Sequence, residues 1–388
     1  MKSNWKEERL GSLVRFSSGG TPNKNNPSYW NGTIPWISAK NMKSEVIETS
    51  DLSITEEGLI HGSKIAPKGS LLLLVRGSGL FNGIPVCYLE NAVAYNQDVK
   101  CIESTSELEN KYLFYWLKAN SGYLRKKIEF TSIGAGKFDT RFLSNLVVRF
   151  PDKVTRKKII DIADNISDRI NINKKINENL LQQAGAVFDK YYNTSSNQQL
   201  FTSLINVLGG GTPKTGNPYF WDGSIPFFTP KDVGAPYTFQ TEKYITESGL
   251  EHCNSRLYPK NTTFVTARGT VGKVSLAGTP MAMNQSCYAL ASETIDPLLV
   301  YFYALKAVAS LKHKASGAVF DAIVTRDFDT ETINILTDED ARSALSVIAP
   351  AMEAIHNNVE ENMRLSKLRD TLLPNLMSGK LDVSELDL

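Results

Sequence analysis

Apolar and small residues recur at alternating spacings of four and three: Ile159, Ala163, Ile166, Ile170, Asn173, Asn177, Leu180, Ala184, Val187 and Tyr191. A seam kept over more than four heptads predicts one helix across residues 153–192, opening after Pro151-Asp152. At ~1.5 Å per residue such a helix is roughly 60 Å long, far beyond the usual globular helix, so it needs a partner. Residues 340–378 supply one. Leu345, Ile348, Met352, Ile355, Val359, Leu365, Leu368 and Leu372 form its apolar stripe. Asn358 follows Asn173 by 185 positions, and a buried asparagine of this kind sets the register of a helical pair. Pro350 is expected to kink this second rod or mark its start, and Pro374 and Gly379 to end it.

The rest of the chain repeats itself. Gly19-Gly20-Thr21-Pro22 returns as Gly210-Gly211-Thr212-Pro213. The stretch from Asn26-Pro27 through Trp30 to Ile34-Pro35-Trp36 returns as Asn217-Pro218 through Trp221 to Ile225-Pro226-Phe227. Arg76-Gly77 matches Arg268-Gly269, and Asn96-Gln97 matches Asn284-Gln285. A period of about half the chain predicts a duplicated unit, a globule followed by a rod, with approximate two-fold symmetry rather than a solenoid. The expected division is globule one over 1–150, rod one over 151–192, globule two over 193–337, and rod two with the tail over 338–388. The polar run 193–199 reads as a linker.

Within each globule the pattern is mixed α+β. Strands are expected at 13–17, 34–38, 71–75 and 145–150, and in the second copy at 225–229, 262–267 and 332–336. Helices are expected at 107–119 and 296–312. A short helix at 53–61 has Ser53 and Glu56 spaced as a capping box.

Length and composition narrow the class. A chain of 388 residues exceeds one comfortable core, and 41% hydrophobic with 22% charged residues is a globular composition. The run 71–75 is too short to span a bilayer, and the N-terminus has no apolar signal core. Cys87, Cys101, Cys253 and Cys287 show no Cys-x-x-Cys spacing and hold non-equivalent places in the repeat. A reducing cytoplasm is therefore expected, without a disulfide framework or metal cage. The net charge of +2 is uneven. Residues 1–150 carry 19 basic against 14 acidic side chains, residues 193–335 carry 11 of each, and residues 336–388 carry 5 against 10. The front half tolerates a polyanion, while the acidic tail suits a protein partner or water.

No catalytic constellation emerges. The Asn-Pro loops at 26 and 217 lack the second proline of an adenine-methyltransferase loop, and no glycine-rich cofactor turn lies near them. There is no Walker loop and no His-Glu-x-x-His. His61 and His252 match in the repeat but each stands alone at a helix end. Asp152, beside Arg156-Lys157-Lys158, lacks the acidic partners of a nuclease and sits where a helix dipole favours it. What is present twice is a donor-rich set at strand ends and loop tips. The first copy has Ser38, Lys40, Asn41, Arg76, Ser78, Asn96, Gln97 and the Gly134-Ala135-Gly136-Lys137 loop. The second has Thr229, Lys231, Asp232, Arg268, Thr270, Lys273, Asn284, Gln285 and Ser316-Gly317. Arginine pairs bidentately with guanine, Asn and Gln with adenine, and lysine anchors phosphates.

The twin Gly-Gly-Thr-Pro…Trp…Ile-Pro openings, the twin Arg-Gly and Asn-Gln elements and the two closing helices resemble the specificity (DNA-recognition) subunits of type I restriction–modification systems, over nearly the whole chain. The resemblance implies two mixed α/β target recognition domains separated by two long helices that pair as an antiparallel coiled coil. Each domain would read half of a split DNA target, and helix length would set the unread gap. The subunit would not be catalytic. It would dock two adenine-N6 methyltransferase subunits that use S-adenosylmethionine, and restriction subunits driven by ATP. The linker after Phe150 lacks the family's usual Pro-Pro-Leu run, reading Pro151-Asp152 here and Thr337-Asp338 in the second copy. A rival reading, a duplicated protein-binding scaffold that never touches DNA, draws on the neutral second globule. DNA contacts are assigned to Ser38, Lys40, Asn41, Arg76, Ser78, Asn96, Gln97, Lys137, Thr229, Lys231, Arg268, Thr270, Lys273, Asn284 and Gln285. Helix pairing is assigned to Ile159, Ile166, Ile170, Asn173, Leu180, Val187, Leu345, Met352, Ile355, Asn358, Val359, Leu365 and Leu372.

Overall fold

The computed structural model describes residues 5–81, 83–130, 135–234, 236–314 and 322–386. It contains two compact units, residues 1–168 with 365–388, and residues 169–364.

The duplication reaches the sheet topology. In the first unit a five-stranded sheet runs in the order Val14–Ser18, Val99–Ser104, Leu71–Leu74, Val86–Leu89, Val46–Ile47. The second unit repeats that order with Asn206–Gly209, Cys287–Ala291, Thr263–Thr266, Val274–Ala277 and Tyr237–Thr238. The central strands are continuous apolar or Thr-rich runs because both faces are covered, and every residue of Leu71–Leu74 and Thr263–Thr266 is buried. The helix Asn110–Ala119 belongs to the first core and Pro297–Lys314 to the second.

A smaller sheet in each unit holds the repeated tryptophan strand, Trp30–Ile37 or Trp221–Phe228. Each is bulged, with pairing slipping between Trp30 and Ile34 and between Trp221 and Ile225. The bulge explains the Asn-Gly and Asp-Gly that follow the tryptophans. Asn31 and Asp222 take left-handed backbone at φ of 61° and 58°. A Cβ on Gly32 or Gly223 would stand 2.4 Å from the carbonyl oxygen of Ile54 or Ile245.

Several expected boundaries move. Ser53 does not cap a helix, because Ser53–Ile54 is a strand paired with the tryptophan strand. Thr55 is the cap instead, accepting from the Gly58 N–H at 3.1 Å, and the helix is Glu56–Gly62. The expected linker is partly ordered: Gln198–Leu200 pairs with Thr332–Asn334.

The rods are Lys153–Thr194 and Asp338–Met377. Neither proline bounds the second rod. The second rod starts twelve residues before Pro350 and continues through it and Pro374. Pro350 is exposed, as is Ser346, whose carbonyl loses its helical N–H partner there. The helix ends at Gly379, whose N–H reaches the Leu376 carbonyl at 3.2 Å and whose φ is +71°.

In the second unit the rods pair antiparallel: contacts advance from Asn173 to Asn177 on one as they retreat from Asn362 to Asn358 on the other. The register is not Asn173 against Asn358. Asn173 Nδ2 donates to Asn362 Oδ1 at 2.9 Å and to Glu361 Oε2 at 2.7 Å, while Asn358 Nδ2 donates to Asn177 Oδ1 at 2.8 Å. The 185-residue offset makes Asn173 and Asn358 equivalent, so an antiparallel pair sets each against the other's neighbour. Around this polar layer Ile170 is buried, and Ala184, Phe188, Ile348, Met352 and Ile355 enter the second core. Leu180, Val187, Leu345 and Val359 pack against that core.

In the first unit Ile159 and Ala163 enter the first core, with Leu373, Leu376 and Met377, while Ile166, Leu365 and Leu372 are half-buried. Leu368, counted in the apolar stripe, is 49% exposed. The buried face there runs through Arg369, Leu373 and Leu376, because this end of the rod packs on the globule's core.

Candidate nucleic-acid interface

Each globule brings its Gly-Gly-Thr-Pro loop against its Asn-Gln turn. The loop lies so close that a Cβ on Gly19 would sit 1.9 Å from the Tyr95 carbonyl oxygen, and one on Gly210 2.3 Å from that of Asn284. Gly20 N–H donates to Tyr95 O at 2.9 Å and Gly211 N–H to Met283 O at 3.2 Å. Only glycine permits this approach, which accounts for the repeated pair.

Beside these turns a cleft opens in each unit. The first, about 550 Å³, is lined by Ser38, Lys40, Asn96 and Gln97 together with Thr21, Lys24, Trp30, Trp36 and Asp98. The second, about 390 Å³, is lined by Thr229, Lys231, Arg268 and Asn284 together with Lys243, Glu242 and Ser286. Eight of the residues picked out from sequence thus meet, four to a cleft. Basic side chains outnumber acidic ones in both clefts, two to one in the first and three to one in the second. In each unit an aromatic edge-to-face pair, Trp30–Trp36 at 5.3 Å or Trp221–Phe227 at 5.5 Å, stands on the bulged strand.

The other assigned residues lie apart from these linings. Arg76 and Lys137 face each other across paired strands, both exposed, so two cations project from one ladder. Ser78, itself exposed, opens a turn whose Leu80 is buried. Asn41 is a cap: its Oδ1 accepts from Ser38 N at 3.1 Å and Ser38 Oγ at 2.9 Å. Asp232 does the same for Thr229 in the second copy. Thr270 Oγ1 donates to Pro230 O at 3.0 Å, and Lys273 is exposed beyond the same loop. Gln97 and Gln285 are exposed, and each accepts a hydroxyl proton from the loop threonine, Thr21 or Thr212. Gly134, Ser316 and Gly317 lie outside the described residues. Thr21, Thr212, Lys24 and Lys243 join the site without having stood out in the sequence. The first two sat in the repeated motif, and Lys243 is held over the Trp221 ring at 5.3 Å.

Cys87, Cys287, His61 and His252 are held in structural settings. Burial pushes the Cys87 and Cys287 thiols up to about 12, so neither supplies a thiolate. His61 and His252 bond backbone carbonyls at 2.9 and 2.8 Å and stack on Tyr29 and Phe220. Among the described residues no group of three His, Cys, Asp or Glu side chains could hold a metal ion, and no helix is long and apolar enough to cross a membrane.

The pattern defining the type I restriction modification DNA specificity domain matches residues 2–182 and again 193–344. The type I restriction enzyme MjaIX specificity subunit of Methanocaldococcus jannaschii is 23% identical over 99% of this chain and 95% of its own length. The EcoR124I/EcoR124II specificity subunit of Escherichia coli is 30% identical over 41% of this chain and 40% of its own. The crystal structure of the type I S subunit from M. genitalium superposes with a TM-score of 0.57, at 15% identity, over 97% of this chain and 96% of that one, and shares its fold. Two matches to one domain pattern, on two units with one sheet order, place the chain in the type I restriction–modification DNA specificity family.

Proposed function

We propose that each globule reads one half of a bipartite DNA target through its basic cleft and the loops around it. In this reading the paired rods fix the unread gap and carry two adenine-N6 methyltransferase subunits. Family membership already gives the chain the non-catalytic, target-recognising role. The observation that supports the finer reading is the recurrence of one cleft in both units, built from equivalent residues: Ser38 and Thr229, Lys40 and Lys231, Asn96 and Asn284.

A donor-rich, cationic cleft suits a polyanion whose grooves present acceptors. Lysines anchor phosphates, and Arg76 and Arg268, at equivalent strand ends, are placed to read guanine. The methyltransferase partners supply S-adenosylmethionine and extrude the target adenine, and ATP is used by restriction subunits. The complex works in the cytoplasm, where its DNA lies. The acidic second rod faces protein rather than phosphate.

Selection of random duplexes by the chain co-expressed with its methyltransferase tests the reading. Two short conserved blocks separated by a fixed unread gap are expected. Binding indifferent to sequence would overturn it. Inserting one heptad into both rods should lengthen the gap and leave both blocks unchanged; an unchanged gap refutes the ruler.

A further inference from the structure

The two clefts differ in most lining positions, as two half-sites of different sequence require. Trp36 is replaced by Phe227, Asp98 by Ser286, and Leu52 by Lys243. A threonine–glutamine contact beside the clefts is the same in both units. The loop threonine donates its hydroxyl to the glutamine amide oxygen, Thr21 Oγ1 to Gln97 Oε1 at 2.7 Å, and Thr212 Oγ1 to Gln285 Oε1. The glycines beneath seat the loop closely: a Cβ on Gly19 or Gly210 would collide with the carbonyl of Tyr95 or Asn284, and one on Gly20 or Gly211 with the backbone of Gly62 or Asn254.

The clamp fixes what each glutamine offers. Its oxygen is engaged by the threonine. Its Nε2, with two N–H groups, has no partner among the described residues, and the side chain is exposed. With one lone pair of the oxygen taken by the threonine and both N–H groups unpaired, each clamp presents a donor-rich outward face. Adenine recognition by glutamine needs an acceptor and a donor presented together, whereas a phosphate oxygen needs only donors.

We propose that Gln97 and Gln285, held by Thr21 and Thr212, are phosphate-anchoring residues that seat each globule in the same register on the DNA backbone without reading a base. The proposal rests on the DNA-reading function above and assigns one part of it. A contact duplicated unchanged cannot distinguish two half-sites, but it can set a common docking pose on which the differing residues act.

The test uses Gln97→Glu and Gln285→Glu in the complex with methyltransferase. Each keeps the acceptor for its threonine and turns the donor-rich face into an anion of the same shape. Each is expected to weaken binding to the selected duplex at least about tenfold, the loss of one hydrogen bond to a charged group. The selected sequence should stay the same in both blocks. Thr21→Val should weaken binding less, and Thr21→Ser should restore it. A changed base preference in the block read by the altered globule would make the glutamine a base reader and overturn the proposal. Unchanged affinity, with unchanged thermal stability, would reduce the clamp to a loop fastening and also overturn it. If the unaltered complex shows no sequence preference at all, the underlying reading fails instead.

Discussion

Replacing Arg156 with Met tests how the first rod is fastened to its globule. Arg156 is 1% exposed, three residues into the rod. Its Nε donates to Glu109 Oε2 at 2.8 Å, one terminal nitrogen to the Pro151 carbonyl at 3.0 Å, and the other to the Glu107 carbonyl at 3.1 Å. The guanidinium also lies 5.7 Å from the centre of the Phe150 ring. Methionine keeps the volume and the apolar stem but strands a carboxylate and two carbonyls. Removing one partner of a buried ion pair costs about 3–5 kcal/mol. Glu109 is 33% exposed and rehydrates in part, which points to the lower end, about 3 kcal/mol. At 2–4 °C per kcal/mol for a unit of this size, melting of the first unit should fall by roughly 6–12 °C. Calorimetry reads the shift, and hydrogen exchange in Asn110–Ala119 and the start of the rod assigns it to this unit. Arg156→Met combined with Glu109→Gln should cost less than the two single changes added, by about 1 kcal/mol or more. A shift under about 2 °C, or strict additivity, would refute the account of Arg156 as a desolvated tie.

Three further outcomes follow from the same reasoning. Asn177→Leu should destabilise the rod pair by about 1–3 kcal/mol, because Asn358 loses its acceptor, whereas Asn177→Leu with Asn358→Leu should be neutral or stabilising in urea melts. Burial raises the Glu45 pKa, but Lys118 and Arg369 outweigh it and hold the carboxyl below its ordinary value of 4.5. A carboxyl depressed by folding contributes stability above its unfolded value that fades as pH drops through its folded one. The first unit should thus lose stability below about pH 4.5, and Glu45→Gln should flatten that slope in pH-dependent melts. Gly379→Ala should cost about 1–2 kcal/mol by thermal melting, since φ is +71° and the new Cβ would meet the Trp5 ring at 3.0 Å.

The rods and the duplication were legible because both are periodic, and period survives ignorance of tertiary contacts. The seam residues from Ile159 to Tyr191 are all buried or half-buried. What failed was local competition. Ser53 had the spacing of a cap, but strand pairing with Pro35 took it first, and Thr55 served instead. Leu368 kept the heptad phase, yet burial moved to Arg369, Leu373 and Leu376, because that end of the rod packs on a globule as well as on a helix. Pro350 lay on an exposed face, where a missing N–H costs little. In the clefts, repetition exposed Lys40, Asn96 and their counterparts. It could not show that Asn41 is spent as a cap, or that Thr21 governs Gln97, because side-chain hydrogen bonds leave no period.

The first unit takes its closing residues from the far end of the chain. Leu373, Leu376, Met377 and Val383 complete its core, but the whole of 169–364 is translated before them. At about 5–20 residues per second, ribosomal synthesis of that stretch takes roughly 10–40 s. Throughout that interval the earlier-made unit has an open apolar face, and when it ends the later-made unit holds all of its own sequence while the first still lacks its closing residues. Birth order and completion order are reversed, so a chain cut short near residue 364 would keep its second globule and spoil its first.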